Sequence, residues 1–393
     1  MISMAETSSL HLILSSNLES LDNALSNIHA SFQIIYKEKR CFSFEFRQEN
    51  YDRLFYDDID KKIIFEKSRN LFCAVIEFQD GYKEVYDLLR KNKISCSFSE
   101  FDFLKKDIYI SSSFQSFLFK GTILFGVSEM KRILNPDLRS SEKVILNEIS
   151  LDLMGSNGWK DFKGLFKVLN YADSWVVLRN AEYLPNDFWN NDKDVDCLCR
   201  DKNSFVALSN AKQRFNGISS YFINIDGKEV DFDIRYLGDE YYDYFWEKEI
   251  LDTSVFMNTI VPVPSPVNYF YSLIYHGLIH KKSGIKTIYL ERLLKLSSTV
   301  FINFSEEKYK DYDYLRVLLT DFLQRKRFRV SIPLDTEVWF NLNRKVINEI
   351  NLIYPGISFR AKLFLTLRKY KFFYIGKLVP KFISNKLKSI VKI

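Results

Sequence analysis

Two alternating stretches constrain this chain more than any other feature. Lys193-Asp194-Val195-Asp196-Cys197-Leu198-Cys199 is followed about 30 residues later by Val230-Asp231-Phe232-Asp233-Ile234-Arg235. A strand sends successive side chains to opposite faces, so each stretch reads as a strand with one polar and one apolar face. Asp194 and Asp196 are expected on one face, with Val195, Cys197 and Cys199 on the other. Asp231 and Asp233 are expected to share a face in the same way, against buried Val230, Phe232 and Ile234. Four carboxylates on one face of neighbouring strands repel each other unless a cation lies among them. Hard divalent ions such as Mg²⁺ or Mn²⁺ take oxygen ligands of this kind, completed by water and phosphate oxygens. The pattern predicts a metal-dependent site that handles phosphates.

Around these strands the chain reads as α+β in four parts. Residues 1–150 form an α/β module of unknown role, 151–284 a mixed sheet with helices that carries the Asp residues, 285–354 a helical domain, and 355–393 a basic amphipathic tail. In the first part, His11–Leu14, Phe32–Tyr36, Cys41–Arg47, Ile63–Phe65, Leu71–Phe78, Asp107–Ser111 and Thr122–Val127 are the expected strands. An amphipathic helix is expected through Leu18, Leu21, Leu25 and Ile28, and another over Tyr82–Lys93. In the second part, helices are expected over Trp159–Leu169, Ser204–Phe215, around Glu240–Leu251 and over Val267–Lys282. Trp175–Leu178 is a strand, and Asp226-Gly227 between Tyr221–Ile225 and Glu229–Tyr236 is a strong hairpin signal. Beyond it, Thr287–Leu296, Lys308–Leu323 and Glu337–Leu352 read as helices.

Composition excludes several classes. At 393 residues, with 47% hydrophobic content, the chain supports a sizeable core and is not a disordered polymer. No apolar run reaches the roughly 18 residues of a membrane span, and no basic n-region opens the chain. Five cysteines, an odd number without metal-ligand spacing, point to a reducing, cytoplasmic setting. The net charge of +6 is localised. After Glu349 there is no acid, yet Arg360, Lys362, Arg368, Lys369, Lys371, Lys377, Lys381, Lys386, Lys388 and Lys392 follow. Removing those ten from the 56 basic residues leaves 46 against 50 acids. A basic tail interleaved with Phe364, Phe372, Phe373 and Phe382 fits an anionic membrane surface, peripheral at its inner face; packing on the helical domain and nucleic-acid contact are the alternatives.

A helix, a strand, an Asp-x-Asp strand and a further acidic strand form the minimal plan of the nucleotidyltransferase superfamily, which includes DNA polymerase β. Residues from about Trp159 to Lys282 resemble it. The resemblance implies that Asp194 and Asp196 hold Mg²⁺, with a nucleoside triphosphate as donor. Asp231 or Asp233 would be the third acid, which also polarises the acceptor hydroxyl; both face the same way, and the choice stays open. The family carries a Gly-Ser pair shortly before its Asp-x-Asp, whereas the loop here reads Arg179-Asn180-Ala181-Glu182, and Gly155-Ser156 falls too early. Arg179 is the substitute phosphate contact. Choline-phosphate transferases of the fukutin type share the metal-acid logic. Val177–Asn180, Asp194–Asp196, Asp233–Asp239 and Tyr271–Lys281 also resemble uncharacterised bacterial proteins associated with surface-polysaccharide genes, which implies a sugar or glycan acceptor. Non-catalytic modules of the same fold are the rival.

Three further features have a structural and a functional reading. Arg235 offsets the carboxylates or binds a phosphate bidentately. Asp239, Tyr242 and Asp243 cap or brace the following helix. His276 and His280 share one side of a helix, where packing, a phosphate contact with Lys281, or zinc are the alternatives.

Overall fold

The structure is a computed structural model that describes residues 10–27, 32–56, 70–78, 108–111, 113–138, 145–190, 194–214, 218–281, 285, 287–335 and 338–340. The chain is α+β, as expected, and divides into two compact units. One reaches Ile234 and takes in Phe256–Pro262; the other comprises Arg235–Val255 and the chain from Val263. The expected segments Ile63–Phe65, Tyr82–Lys93, Glu337–Leu352 and the tail 355–393 fall outside the described residues or, for Glu337–Leu352, almost wholly so.

The first unit holds two five-stranded sheets. Strands β1 (Leu10–Ser15), β2 (Phe32–Cys41), β3 (Asn70–Phe78), β4 (Ile108–Ile110) and β5 (Asn147–Ile149) form the first, in the order β4-β1-β3-β2-β5. The central strand β3 pairs antiparallel with both β1 and β2, and Leu12, Ile13, Leu14, Val75 and Ile76 are fully buried. Helix α1 (Leu18–Asn27) follows β1, as its apolar spacing predicts. Two expectations fail here. Cys41–Arg47 is not a strand: β2 stops at Cys41, Phe44 is 89% exposed, and the chain turns into helix α2 (Arg47–Leu54). Thr122–Val127 is not a strand either, but lies inside helix α3 (Phe114–Leu134), whose first turn is capped by the Ser113 side chain and which kinks at Gly126. A short apolar run is the same in a buried strand and a buried helix, and only its flanks distinguish them.

The second sheet positions the acidic strands. Helix α4 (Phe162–Ala172) starts three residues later than expected, because Asp161 is its N-cap and accepts the Gly164 N–H at 2.7 Å. Strands β6 (Trp175–Val177) and β7 (Val195–Cys199) pair antiparallel. Helix α5 (Lys202–Ser209) is shorter than expected: Asn210 adopts φ 56° and ends it before the two-residue strand β8 (Lys212–Gln213). The hairpin is as expected, with β9 (Ser220–Ile225) and β10 (Lys228–Tyr236) joined through Asp226 and Gly227 at φ 53° and 70°. Positive φ at both central residues is the twist-matched turn that Asp-Gly favours. The sheet order is β6-β7-β10-β9-β8.

Helix α2 ties the two sheets into one unit. The buried Arg53 guanidinium donates to the carbonyls of Ala207 (2.8 Å), Leu208 (3.3 Å) and Met154 (2.6 Å) and to the Ser156 hydroxyl (3.2 Å). It thereby satisfies the last carbonyls of α5, which a helix end leaves unpaired. Ser156 in turn donates to Asn50 at 2.6 Å.

The second unit is mainly helical among its described residues. It contains α6 (Tyr244–Asp252), α7 (Pro266–Ile279), α8 (Leu290–Thr299), α9 (Glu306–Lys310) and α10 (Tyr312–Lys326). The expected Lys308–Leu323 helix is two helices, because Asp311 breaks the first and caps the second. Aromatic stacking fills the core: Trp246 lies on Phe328 and Tyr271 on Phe322, with centroids 5.7 and 3.8 Å apart. A small ribbon of β11 (Val255–Met257) and β12 (Val261–Val263) links α6 to α7. No described helix is long and apolar enough to cross a membrane.

Candidate functional site

The two acidic strands are neighbours, since β7 and β10 lie side by side in the sheet. Alternation is regular on β10: Val230, Phe232 and Ile234 are buried, Asp231 is exposed and Asp233 half-buried. On β7 it is not. Asp194 precedes the strand and is exposed, whereas Asp196 is 6% exposed within a strand whose residues are all buried. In the β6–β7 register Val176 lies beside Leu198, Trp175 beside Cys199 and Val177 beside Cys197, and the Leu178 N–H donates to the Asp196 carbonyl. Cys197 and Cys199 are buried and form no disulfide.

Arginines pair with two of these carboxylates. Arg179, buried where the chain leaves β6, grips Asp196 with both arms of its fork: Nε donates to Oδ2 at 3.0 Å and Nη2 donates to Oδ1. Their side chains are 7% and 9% exposed. A bidentate, charge-assisted pair of this type is among the strongest polar contacts a protein makes. Asp231 faces Arg214, whose Nε and Nη2 both reach Oδ1 at 2.8 Å; the same guanidinium reaches Glu229 at 2.9 Å. Arg214 also stacks over Phe222, which pairs with Asp231 across β9 and β10. These carboxylates hold the Arg214 guanidinium above its ordinary pKa, chiefly through the Asp231 hydrogen bond.

Sequence reasoning chose Arg179 but not its partner, and missed Arg214 altogether. Arg214 meets Asp231 only once the register of β8, β9 and β10 is known, and no local pattern encodes that. Among the described residues, no three His, Cys, Asp or Glu side chains gather closely enough to hold a metal ion. The Gly-Ser pair has a structural role: Gly155 adopts φ 76° against the Trp159 ring, and Ser156 belongs to the Arg53 network.

Arg235 and Lys281, the other expected phosphate contacts, belong to the second unit. Arg235 is buried and bonded to Asp335 at 3.1 Å, with Asp239 at 4.0 Å and the Tyr241 ring beneath it at 4.7 Å. Asp335 and Asp239 are thus among the acids that offset its charge within that unit. Lys281 is half-buried just past α7. Asp243 caps α6, accepting the Phe245 N–H at 2.9 Å. His276 and His280 share one helix side and are buried, with the Tyr241 hydroxyl 2.8 Å from His276 Nδ1 and the Tyr241 ring tilted against His280, centroids 4.2 Å apart. Packing is the reading these contacts support.

A buried carboxyl pair in this unit escaped sequence reasoning. Glu247 on α6 is fully buried and accepts the N–H groups of Gly238 (2.7 Å) and Tyr242 (3.0 Å), beside Asp239. Burial first, and the Asp239 charge second, push the Glu247 carboxyl up to about 9; burial raises Asp239 as well. No protein-family model, curated protein or solved structure matches the chain.

Proposed function

We propose that the second sheet of the first unit carries a divalent-metal-dependent transferase site, which moves a nucleotidyl or phosphoryl-type group to an acceptor hydroxyl on a sugar or surface glycan. The observation that carries this reading is the adjacency of β7 and β10, which sets Asp194-Val195-Asp196 beside the strand of Asp231 and Asp233. The acidic side chains on the two strands offer the oxygen ligands a hard cation prefers, although among the described residues no three of them stand close enough to hold one. Asp194 and Asp196 would hold Mg²⁺ or Mn²⁺, and Asp233, half-buried on β10, is the better third acid because Asp231 is exposed and committed to Arg214. A bound cation would neutralise charge on the phosphate oxygens of a nucleoside triphosphate. The fold of this part of the chain would then resemble the nucleotidyltransferases, and the basic segment 355–393 would meet an anionic membrane surface.

One observation favours a second reading, a non-catalytic module of the same fold: Arg179 already neutralises Asp196. The two readings differ in metal dependence. Thermal unfolding is measured for the wild type and Asp194→Asn with Mg²⁺ or Mn²⁺ and each of ATP, CTP, GTP and UTP. Asp194 is exposed, so its replacement leaves the core intact. Binding at about 100 times the dissociation constant adds about 2.7 kcal/mol. A shift that needs both metal and one nucleotide, and that Asp194→Asn abolishes, supports the transferase. Equal behaviour of the two proteins with every nucleotide refutes it.

A further inference from the structure

We infer that the start of α6 and the segment after α10 together form a docking face for an anionic lipid bilayer, in which Tyr244, Phe245, Leu334 and Trp339 enter the headgroup layer and Arg327 and Arg329 meet lipid phosphates. This face rests on the membrane reading of the basic segment 355–393 and is independent of the metal chemistry of the acidic strands.

The core of the second unit uses one side of α6, where Trp246, Ile250 and Leu251 are buried. It does not use the first two residues: Tyr244 is 50% and Phe245 67% exposed, with ring centroids 5.5 Å apart. The segment after α10 adds Leu334 and Trp339, at 46% and 47%. Hydrogen bonds bring these side chains to one corner. The Leu334 N–H donates to the Asp239 carbonyl at 2.9 Å, and the Tyr244 ring packs beside the preceding Gly238, where a Cβ would lie 3.8 Å from it. Trp339 follows a turn closed by the Val338 N–H on the Asp335 carbonyl. Exposed rings gain nothing in water, whereas the layer between headgroups and acyl chains accepts both the apolar body and the polar edge of Tyr and Trp.

Positive charge borders the same corner. Residues 325–329 read Arg-Lys-Arg-Phe-Arg, and the four basic residues are exposed while Phe328 stacks on Trp246. The Arg329 N–H donates to the carboxylate of Asp243, the N-cap of α6, at 3.2 Å, which holds Arg329 at the helix start. Asp321 and Glu249 meet Arg325 and Lys326 at 2.9 Å, but on an exposed surface, where such pairs are worth little and exchange for lipid phosphates. The chain then runs past Phe340 into the stretch that holds ten basic residues and no acid after Glu349, so the attraction to anionic lipid continues from this corner. A bilayer is favoured over nucleic acid by the aliphatic members. Leu334, and Leu367, Leu378 and Leu387 among the tail lysines, gain from a hydrocarbon boundary, whereas a nucleic acid rewards planar stacking.

Vesicle sedimentation tests this on the full chain, with phosphatidylcholine alone and with about one third phosphatidylserine. The wild type is compared with Tyr244→Ser/Phe245→Ser, with Arg327→Gln/Arg329→Gln and with the tail variant Lys369→Gln/Lys371→Gln/Lys377→Gln/Lys381→Gln. The wild type should bind the mixed vesicles and not the neutral ones, and bind less as salt rises. The aromatic variant should bind about tenfold more weakly or worse, and so should the arginine variant. Trp339 supplies a second readout: bromine-labelled lipid in the mixed vesicles should quench tryptophan fluorescence in the wild type and quench it less in Trp339→Phe.

Binding that only the tail variant weakens, with equal quenching in the wild type and Trp339→Phe, overturns the docking face and leaves the membrane reading of the tail standing. Binding to no vesicle, or to neutral and mixed vesicles alike, overturns both. So does tail-dependent binding of a single-stranded oligonucleotide in place of vesicles, which assigns the charge to nucleic acid. The Trp339 quenching decides the matter by itself if Tyr244→Ser/Phe245→Ser fails to fold.

Discussion

Replacing Glu247 with Gln should exchange a pH-dependent stability for a pH-independent one. The Glu247 carboxyl is fully buried, accepts two backbone N–H groups and keeps its proton up to about pH 9, against an ordinary value of 4.5. Between these values the folded chain holds a proton that the unfolded chain has released. A raised folded pKa places the stabilising contribution below about pH 4.5, and the contribution declines as pH rises towards 9. The slope is about 1.4 kcal/mol per pH unit for one proton. In Glu247→Gln the amide oxygen accepts one of the two N–H groups and the amide nitrogen cannot accept the other, which costs about 2 kcal/mol for a buried unpaired donor. That loss is constant, whereas the wild-type loss grows with pH. The two stability curves should therefore cross near pH 6, with the Gln variant less stable below and more stable above. Urea unfolding followed by tryptophan fluorescence reads this directly, since Trp246 is buried in the same helix as Glu247. Glu247→Ala, which removes both acceptors and leaves a void, should be less stable than Gln at every pH. Parallel wild-type and Gln curves from about pH 5 to about pH 8.5 would refute the raised Glu247 pKa.

Two further outcomes concern the first unit. Burial lowers His11 to about 4, although a backbone hydrogen bond with Ser111 opposes the shift. The folded state keeps His11 neutral while the unfolded state ionises near 6.5, so its contribution is present above that value and lost as pH falls towards 4. His11→Asn should flatten this acid limb of the unfolding curve; an unchanged limb would assign it to other groups. Arg53→Met keeps the apolar stem but abandons three carbonyls and a hydroxyl, and should cost about 3–5 kcal/mol in urea unfolding. A loss below about 1 kcal/mol would mean that water replaces the guanidinium freely.

The parts of the fold that were legible in the sequence are those set by neighbours along the chain. Asp226-Gly227 fixes its hairpin because two adjacent residues at positive φ define the turn, and the β10 alternation follows from that register. The adjacency of β7 and β10, whose acidic runs lie about 30 residues apart, was legible only from the charge that two such runs accumulate. The illegible parts depend on what lies across space. Thr122–Val127 satisfies strand composition, yet its burial inside α3 is set by the elements packed around it. Arg235 lies two residues from Asp233 and shares its parity on the strand, but its carboxylate partner is Asp335, 100 residues away. No periodicity reports a contact of that range.

The charge argument itself shows where sequence reasoning stops. Alternation established that carboxylates accumulate on neighbouring strands, and electrostatics established that cations must balance them. Neither step says which cation. An arginine of the chain competes on favourable terms, because it is tethered and its association loses far less freedom than that of a dissolved ion. Arg179 and Arg214 take Asp196 and Asp231 on this basis. The two pairs are not equivalent, however. Arg214 and Asp231 are solvent-exposed, where an ion pair is worth little and exchanges freely. Arg179 and Asp196 are buried, where neither can be released unless another charge takes its place.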